Sequence, residues 1–414
     1  MKPSGTASSP GKDGRRRAQV AVVSCPVYEA GPLRRAVQES LELLGGPSSL
    51  LTPGMNVFVK INHLSPHAVP DRAICTHPLL VREVLRLLLD LGILPTVGDD
   101  INFGQGDEFS TTGFRNVCEE LGVPLVNLRK CGFAKVSLNG AVLKSAFIAR
   151  PVLEADAVVN LPKLKTHSLT AFTGAVKNMY GVIPSGLRLE YHRRFPRNDV
   201  FSQMLVDLFT AVPPSLNMMD AVVGMEGEGP SSGIPKRLGL VISGRDGVAV
   251  DAVASRIVGT DPLQVFTTSF AAARGLGVGD LERIEILGER VRNVEARDFR
   301  PSLVATGILR RRLPSSIYAY VSGRLILTPE VIPEKCQACL ECINICPVRT
   351  IRQVKGKAWI SKSECIHCLC CHEVCAYRAI RLRQRTVGRL FRGAERLFKK
   401  VRTLFRKASL FVFL

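Results

Sequence analysis

The sequence predicts an α/β domain with a mostly parallel sheet, followed by a small cysteine-rich α+β domain and a C-terminal amphipathic helix. Three observations predict it. From residue 19 to 290 short β-branched runs alternate with helical patterns, the mark of strands that run the same way with helices between them. Nine of the thirteen cysteines fall between Cys336 and Cys375, in two copies of one spacing. The last thirty residues carry an apolar stripe at helical spacing with Lys and Arg on the remaining face.

At 414 residues and 46% apolar content, the chain has material for two or three domains with ordinary buried cores. Residues 1–18 read as a disordered basic arm, since the first seventeen hold five Lys or Arg against Asp13 among Ser, Gly and Pro. Strands are expected at 19–24, 56–61, 94–98, 124–128, 156–161, 216–223 and 237–243. Helices are expected at 32–44, 78–91, 111–121, 168–179, 199–211, 248–258 and 262–273. Residues 291–330 read as a connecting segment, with Ile317–Val321 as a short strand or helix.

In such a sheet ligands sit at the carboxyl ends of the strands, and the polar motifs occur there. Lys60 follows one strand. Asp99 ends another, and Asn160 leads into Lys163, Lys165 and His167. Lys177 and Asn178 follow in the expected helix 168–179. Asp220 ends a strand before the glycine-rich 224–230 stretch with Glu226, Gly227 and Gly229, and Asp251 lies near a helix start. Lys165, His167 and Lys177 are the candidate catalytic residues, as proton donors to a bound substrate. Lys60, Lys163, Asn178, Asp220, Glu226, Gly227, Gly229 and Asp251 are the candidate binding residues. A helix start beside His167 and glycine amides at 224–230 would suit a phosphate or carboxylate, so an anionic small molecule is the expected ligand. The bland readings are a solvated Lys-x-Lys loop, a decorated helix at Lys177–Asn178, and an Asp251 that compensates a helix dipole. The glycine-rich stretch matches neither a Walker loop nor the dinucleotide fingerprint.

Lys163-x-Lys165-Thr166-His167, Lys177-Asn178-x-x-Gly181, the 224–230 stretch and Ala249-Val250-Asp251-Ala252 resemble the domain-of-unknown-function family numbered 362, over roughly residues 19–290. The resemblance implies an α/β fold and an iron–sulfur redox setting, because members are often fused to a ferredoxin module. It implies no particular reaction.

The cysteine spacing is Cys336-x2-Cys339-x2-Cys342-x3-Cys346-Pro347, repeated 29 residues on as Cys365-x2-Cys368-x2-Cys371-x3-Cys375. Three thiolates from one loop hold an iron–sulfur cube, and the fourth cysteine ligates the neighbouring cube. Two [4Fe–4S] clusters are therefore expected, one on Cys336, Cys339, Cys342 and Cys375 and the other on Cys365, Cys368, Cys371 and Cys346. Cys370 is left over as a spare thiol. Zinc or disulfides are the competing readings, but zinc prefers paired Cys-x2-Cys units and a chain this long needs no staples. Residues 331–383 resemble bacterial-type ferredoxins, with Ala376 where the second proline would stand. His367 and His372 beside the second loop are placed to tune its potential, or are plain surface histidines.

The formal charge of +20 sits mostly at the ends, and residues 381–414 hold eleven Lys or Arg against Glu395. Residues 384–414 read as a basic amphipathic helix suited to an anionic membrane surface, with docking on a partner or on the protein itself as the rival. Nucleic acid is the weaker partner because no groove-reading motif accompanies the charge. No apolar run reaches the length of a membrane span and the N-terminus has no signal-peptide core, so a cytoplasmic protein, peripheral on the inner face of the membrane, is expected. The expected function is an iron–sulfur electron-transfer protein or oxidoreductase working with a redox partner. The rivals are a docking module that delivers electrons to another enzyme, and structural clusters beside non-redox chemistry.

Overall fold

The computed structural model describes residues 17–101, 107–302 and 327–384. The basic arm, the segment at Ile317–Val321 and the tail helix expected at 384–414 fall almost wholly outside them. In chain order the elements are β1 (Ala18–Ser24), α1 (Ala30–Leu43), β2 (Asn56–Ile61), α2 (Pro78–Asp90), β3 (Leu94–Asp99), α3 (Phe114–Leu121) and β4 (Leu125–Asn127). A hairpin of β5 (Phe133–Ser137) and β6 (Ser145–Ala149) leads through α4 (Arg150–Glu154) to β7 (Ala157–Leu161), β8 (Lys163–His167), β9 (Ala171–Thr173) and α5 (Ala175–Asn178). The large lobe closes with α6 (Ser185–Arg194), α7 (Asn198–Ala211), β10 (Leu216–Glu226), β11 (Ile234–Gly244), α8 (Gly247–Ile257), α9 (Phe266–Ala273), β12 (Ile284–Gly288) and α10 (Val291–Val294).

The main sheet runs β12-β1-β11-β10-β7-β2-β3-β4, with β8 paired to β10 and β9 paired to β8. β11 is antiparallel to both its neighbours, and the other pairs along this path are parallel. Its strands are apolar on both faces because both are covered. In β1, Ala21 and Val23 enter the core under α1 and α2, while Ala18, Val20 and Val22 enter the core under α8. Two of the helices, α2 and α8, start at side-chain caps. His77 Nδ1 accepts from Leu79 N at 3.3 Å ahead of Pro78, and Asp246 Oδ1 accepts from Val248 N and Ala249 N at 3.0 and 3.1 Å.

The helix expected at 168–179 does not form. β8 turns at 168–170 into β9, with Thr166 opposite Phe172 and Lys165 opposite Thr173, and only Ala175–Asn178 is helical. Leu169, Phe172, Val176 and Met179 recur at helical spacing, but the threonines around Phe172 favour an extended chain. His167 closes the turn by accepting Leu169 N at 3.0 Å on its own ring. No helix N-terminus therefore faces an anion at Ser168.

The small lobe includes β13 (Leu327–Val331), which pairs with β16 (Ile380–Gln384). Between them lie α11 (Glu341–Asn344), a hairpin of β14 (Ile351–Val354) and β15 (Lys357–Ile360), and α12 (Cys370–Val374). Its internal repeat is written in the backbone. Ala338, Leu340 and Arg349 take left-handed φ values of 53°, 64° and 50°, and His367, Leu369 and Arg378, each 29 residues on, take 56°, 65° and 55°. Such values cost ordinary residues energy, so the two loops are held to one path. The lobe is docked on the large one: Arg72 donates to Ala376 O at 2.6 Å and Ser231 O at 3.2 Å, and Ser231 Oγ donates to His372 O at 3.0 Å. Ala376 packs into the large lobe's own core, which gives the residue replacing proline a packing role.

Candidate functional site

A polar cavity lies at the junction of the lobes. The large lobe supplies Lys60, Lys165, Lys177, Asn178 and Arg188; the small lobe supplies Ile345, Cys370, Glu373 and Val374. The ends of β2, β3 and β8 thus meet there, as the strand-end clustering of polar residues suggested.

Most of its cations are already paired. Lys60 Nζ is 2.7 Å from Asp99 Oδ2, and Arg188 pairs with Asp100. Lys165 Nζ donates to Asn62 Oδ1 at 2.8 Å and Ile74 O at 2.5 Å. Burial pulls the Lys165 ammonium down to about 7, where a lysine serves as donor and acceptor alike. The Lys177 ammonium lines the cavity with neither hydrogen bond nor ion pair among the described residues. Burial lowers it too, with Glu373 opposing. His167 is driven to about 4 by burial and by Lys177, and His63 to about 3 by burial. These imidazoles are neutral at pH 7.

Glu373 enters from the small lobe, 3.3 Å from His167 Nε2 and 4.0 Å from His192 Nε2. Burial alone would raise its carboxyl, but the two imidazoles and Lys177 hold it below the usual range. A chain of amides backs the site. Asn160 donates to Asn217 at 2.9 Å, Asn178 to Asn160 at 2.7 Å and Asn62 to Asn178 at 2.9 Å, and Lys165 donates into its end at Asn62. Asn178 is thus a positioning residue for Lys165.

Gly181 has a steric task there. A Cβ on it would stand 2.3 Å from Asp99 Oδ1 and 2.7 Å from Lys60 Nζ, both in a buried ion pair. Gly181→Ala should lower stability by about 1–3 kcal/mol, read as a fall in the chemical-denaturation midpoint. An unchanged midpoint would show that the pair can shift.

Several predicted residues stand elsewhere. Lys163 is buried against Asp220 and Tyr28, at 2.8 Å from Asp220 Oδ2 and 2.7 Å from Tyr28 Oη. Asp251 accepts Ala175 N at 2.5 Å and Val176 N at 3.1 Å, so it caps α5 rather than its own helix. Gly174, where a Cβ would lie 2.0 Å from that carboxylate, permits the approach. Glu226 accepts Arg300 N at 3.0 Å. Gly227 N donates to Arg300 O at 2.8 Å and Gly229 N to Thr166 Oγ1 at 3.2 Å, so these amides are spent inside the fold and form no anion nest.

The cysteines line two further cavities. One is bounded by Cys336, Cys339, Cys342 and Cys375, the other by Cys346, Cys365, Cys368 and Cys371 together with Cys370. Backbone amides point at four of the sulfurs: Ala358 N at Cys336, Thr350 N at Cys346, His367 N at Cys365 and Ala379 N at Cys375, at 3.3–3.5 Å. The thiols of each set surround a space rather than meet at a point. Among the described residues no three His, Cys, Asp or Glu side chains are placed to hold a single ion. His372 is buried, its Nδ1 2.8 Å from Ile380 O, and is not a surface histidine.

Sequence reasoning missed Arg188, His63, Glu373 and the placement of Cys370. A signal for two of them was present. Cys370 answers Glu341 and Glu373 answers Asn344 in the 29-residue repeat, so the copies differ in chemistry at the positions that face the cavity.

Comparison with known proteins adds a family. The model described as Domain of unknown function (DUF362) matches residues 57–256. The thylakoid-associated protein sll1697 of Synechocystis sp. is 32% identical over 261 residues, 63% of this chain and 79% of that protein. A crystal structure of a Thermotoga maritima protein aligns with TM-score 0.38 at 15% identity, over 61% of this chain and 60% of that one. The lactate racemase apoprotein of Thermoanaerobacterium thermosaccharolyticum aligns with TM-score 0.32 at 16% identity, over 53% and 54%. The chain thus spans less than two thirds of either solved structure, and these likenesses carry no site or reaction to it. With a relative this similar over most of its length and the family's own domain in the large lobe, the chain belongs to the DUF362 family.

Proposed function

We propose that the protein is an iron–sulfur electron-transfer protein or oxidoreductase, with an anionic small molecule bound in the inter-lobe cavity. The observation that carries this reading is the partition of eight cysteines into two cavities, each lined by three from one loop and the fourth from the other repeat. That donor set fits a pair of [4Fe–4S] clusters, and the amides aimed at the sulfurs are the kind that tune such groups. When bound, the clusters supply single-electron transfer. The chain's own residues do the rest: Lys177 offers the uncommitted positive charge for an anion, and the buried Lys165 holds a proton that moves near neutral pH.

The test is anaerobic reconstitution. Wild-type protein should bind about eight irons and show two reducible centres by electron paramagnetic resonance. Cys342→Ser should remove one centre and Cys346→Ser the other, each leaving about four irons. Wild-type protein with no reducible centre would overturn the reading.

We also propose that residues 384–414 bind an anionic membrane surface as a peripheral helix. Their charge and apolar stripe support this, as does the name of the Synechocystis relative, a thylakoid-associated protein. Among the described residues no helix is long and apolar enough to cross a membrane. Protein ending at Arg385 should lose sedimentation with anionic vesicles; equal binding with and without the segment would refute it.

A further inference from the structure

The two cysteine sets are not equally placed toward the inter-lobe cavity. Cys370 borders both that cavity and the one lined by Cys346, Cys365, Cys368 and Cys371. No residue lining the Cys336 set's cavity also lines the inter-lobe one. The His192 ring, in the cavity wall, has its Nε2 4.0 Å from Glu373 on the second loop's helix. The repeat shows the same asymmetry: Leu340 in the first loop is 42% exposed, while its counterpart Leu369 is 4% exposed.

We propose that charge in the inter-lobe cavity is felt by the second cysteine set and not by the first, so that anion binding there and the reduction of that set's centre are linked. This rests on the proposed iron–sulfur reading. Lys177 supplies the positive charge on the cavity side, Glu373 the negative one, and Cys370 is the thin wall across which both act. Coulomb interaction is strong across a short, water-poor gap and fades across the body of a lobe. Adding an electron to the second centre adds negative charge beside the cavity. A bound anion therefore disfavours that reduction, and reduction weakens the anion's binding by the same factor. The first set, with its exposed Leu340 loop, is left on the outward side.

The test is a redox titration of the reconstituted full chain, followed by electron paramagnetic resonance, for wild type and Lys177→Met. Loss of the cation should shift one midpoint potential downward and leave the other in place. The shifted centre should be the one that survives in Cys342→Ser and is missing in Cys346→Ser; either background suffices for the assignment, since the remaining centre identifies itself. Glu373→Gln should move the same centre in the opposite direction. Equal shifts of both centres, a shift confined to the first set's centre, or no shift would overturn the linkage while the iron count leaves the cluster reading intact. Absence of iron from wild type would overturn both.

Discussion

Asp220→Ala should lower the unfolding free energy by about 3–5 kcal/mol, the usual cost of leaving a buried charge without its partner. The Asp220 carboxylate accepts from Lys163 Nζ at 2.8 Å, Tyr28 Oη at 2.7 Å and His77 N at 2.9 Å, and neither Lys163 nor Asp220 is open to solvent. Alanine removes these contacts and a fourth from Val222 N at 3.3 Å, and strands the ammonium. Tyr28 is also stacked on His77, with ring centroids 3.6 Å apart, so the segment between β1 and α1 and the start of α2 would loosen together. Denaturant unfolding measures the change. Lys163→Met combined with Asp220→Leu should recover much of the loss, because an apolar pair of similar volume leaves no charge to solvate. A loss below about 1 kcal/mol for Asp220→Ala would show that water reaches Lys163.

The stability of the wild type relative to Lys165→Met should rise with pH, by about 2 kcal/mol between pH 7 and pH 9. The sign follows from burial. In the unfolded chain Lys165 binds its proton up to about 10.5, and in the folded protein only up to about 7. Between those values the unfolded state holds more protons, so raising the pH favours folding; below about 7 both states are protonated and the full penalty of burying the ammonium applies. The variant lacks this group, so the difference between the two proteins isolates it from most other titrations. Lys177, Lys163 and Asp99 are its charged neighbours, beside the buried Cys75 thiol. Denaturation midpoints at several pH values check it, and a pH-independent difference would mean that the ammonium is hydrated in the cavity.

Much of the fold was legible because parallel strands buried on both faces must be runs of Val, Ile and Leu, and those runs stand out. β2, β3 and β7 fall within a residue of their expected bounds. The failure at 168–179 has a local cause: Leu169, Phe172, Val176 and Met179 repeat like a helix, but the chain must be extended at Phe172 and open at Gly174 to meet Asp251 from α8. That contact joins residues 76 apart, and no local pattern reports it. The site was legible in part for the same reason. Lys60 in the last residues of β2, Lys165 in β8, and Lys177 and Asn178 in the short α5 that follows β9 meet in the cavity. Lys163, two residues before Lys165, points to the same side of its strand but finds Asp220 and Tyr28 first. Whether a lysine faces a ligand or a carboxylate depends on the neighbouring strand, which the sequence does not place. Glu373 and Cys370 reach the site only because the small lobe docks where it does.

Arg72 has a consequence for traffic into the cavity. One planar fork grips Ser231 O on the large lobe and Ala376 O on the small lobe, so any parting of the lobes on that side breaks the grip on Ala376. A clamshell opening is thereby disfavoured, and a visiting molecule needs a doorway that exists while the halves stay shut. Among the described residues that doorway is the rim of Pro66, Asp100, Ser185 and Leu189, which the cavity shares with a broad outer groove. At that threshold the Asp100 carboxylate is held by Arg188, so the rim carries a closed ion pair rather than a free charge.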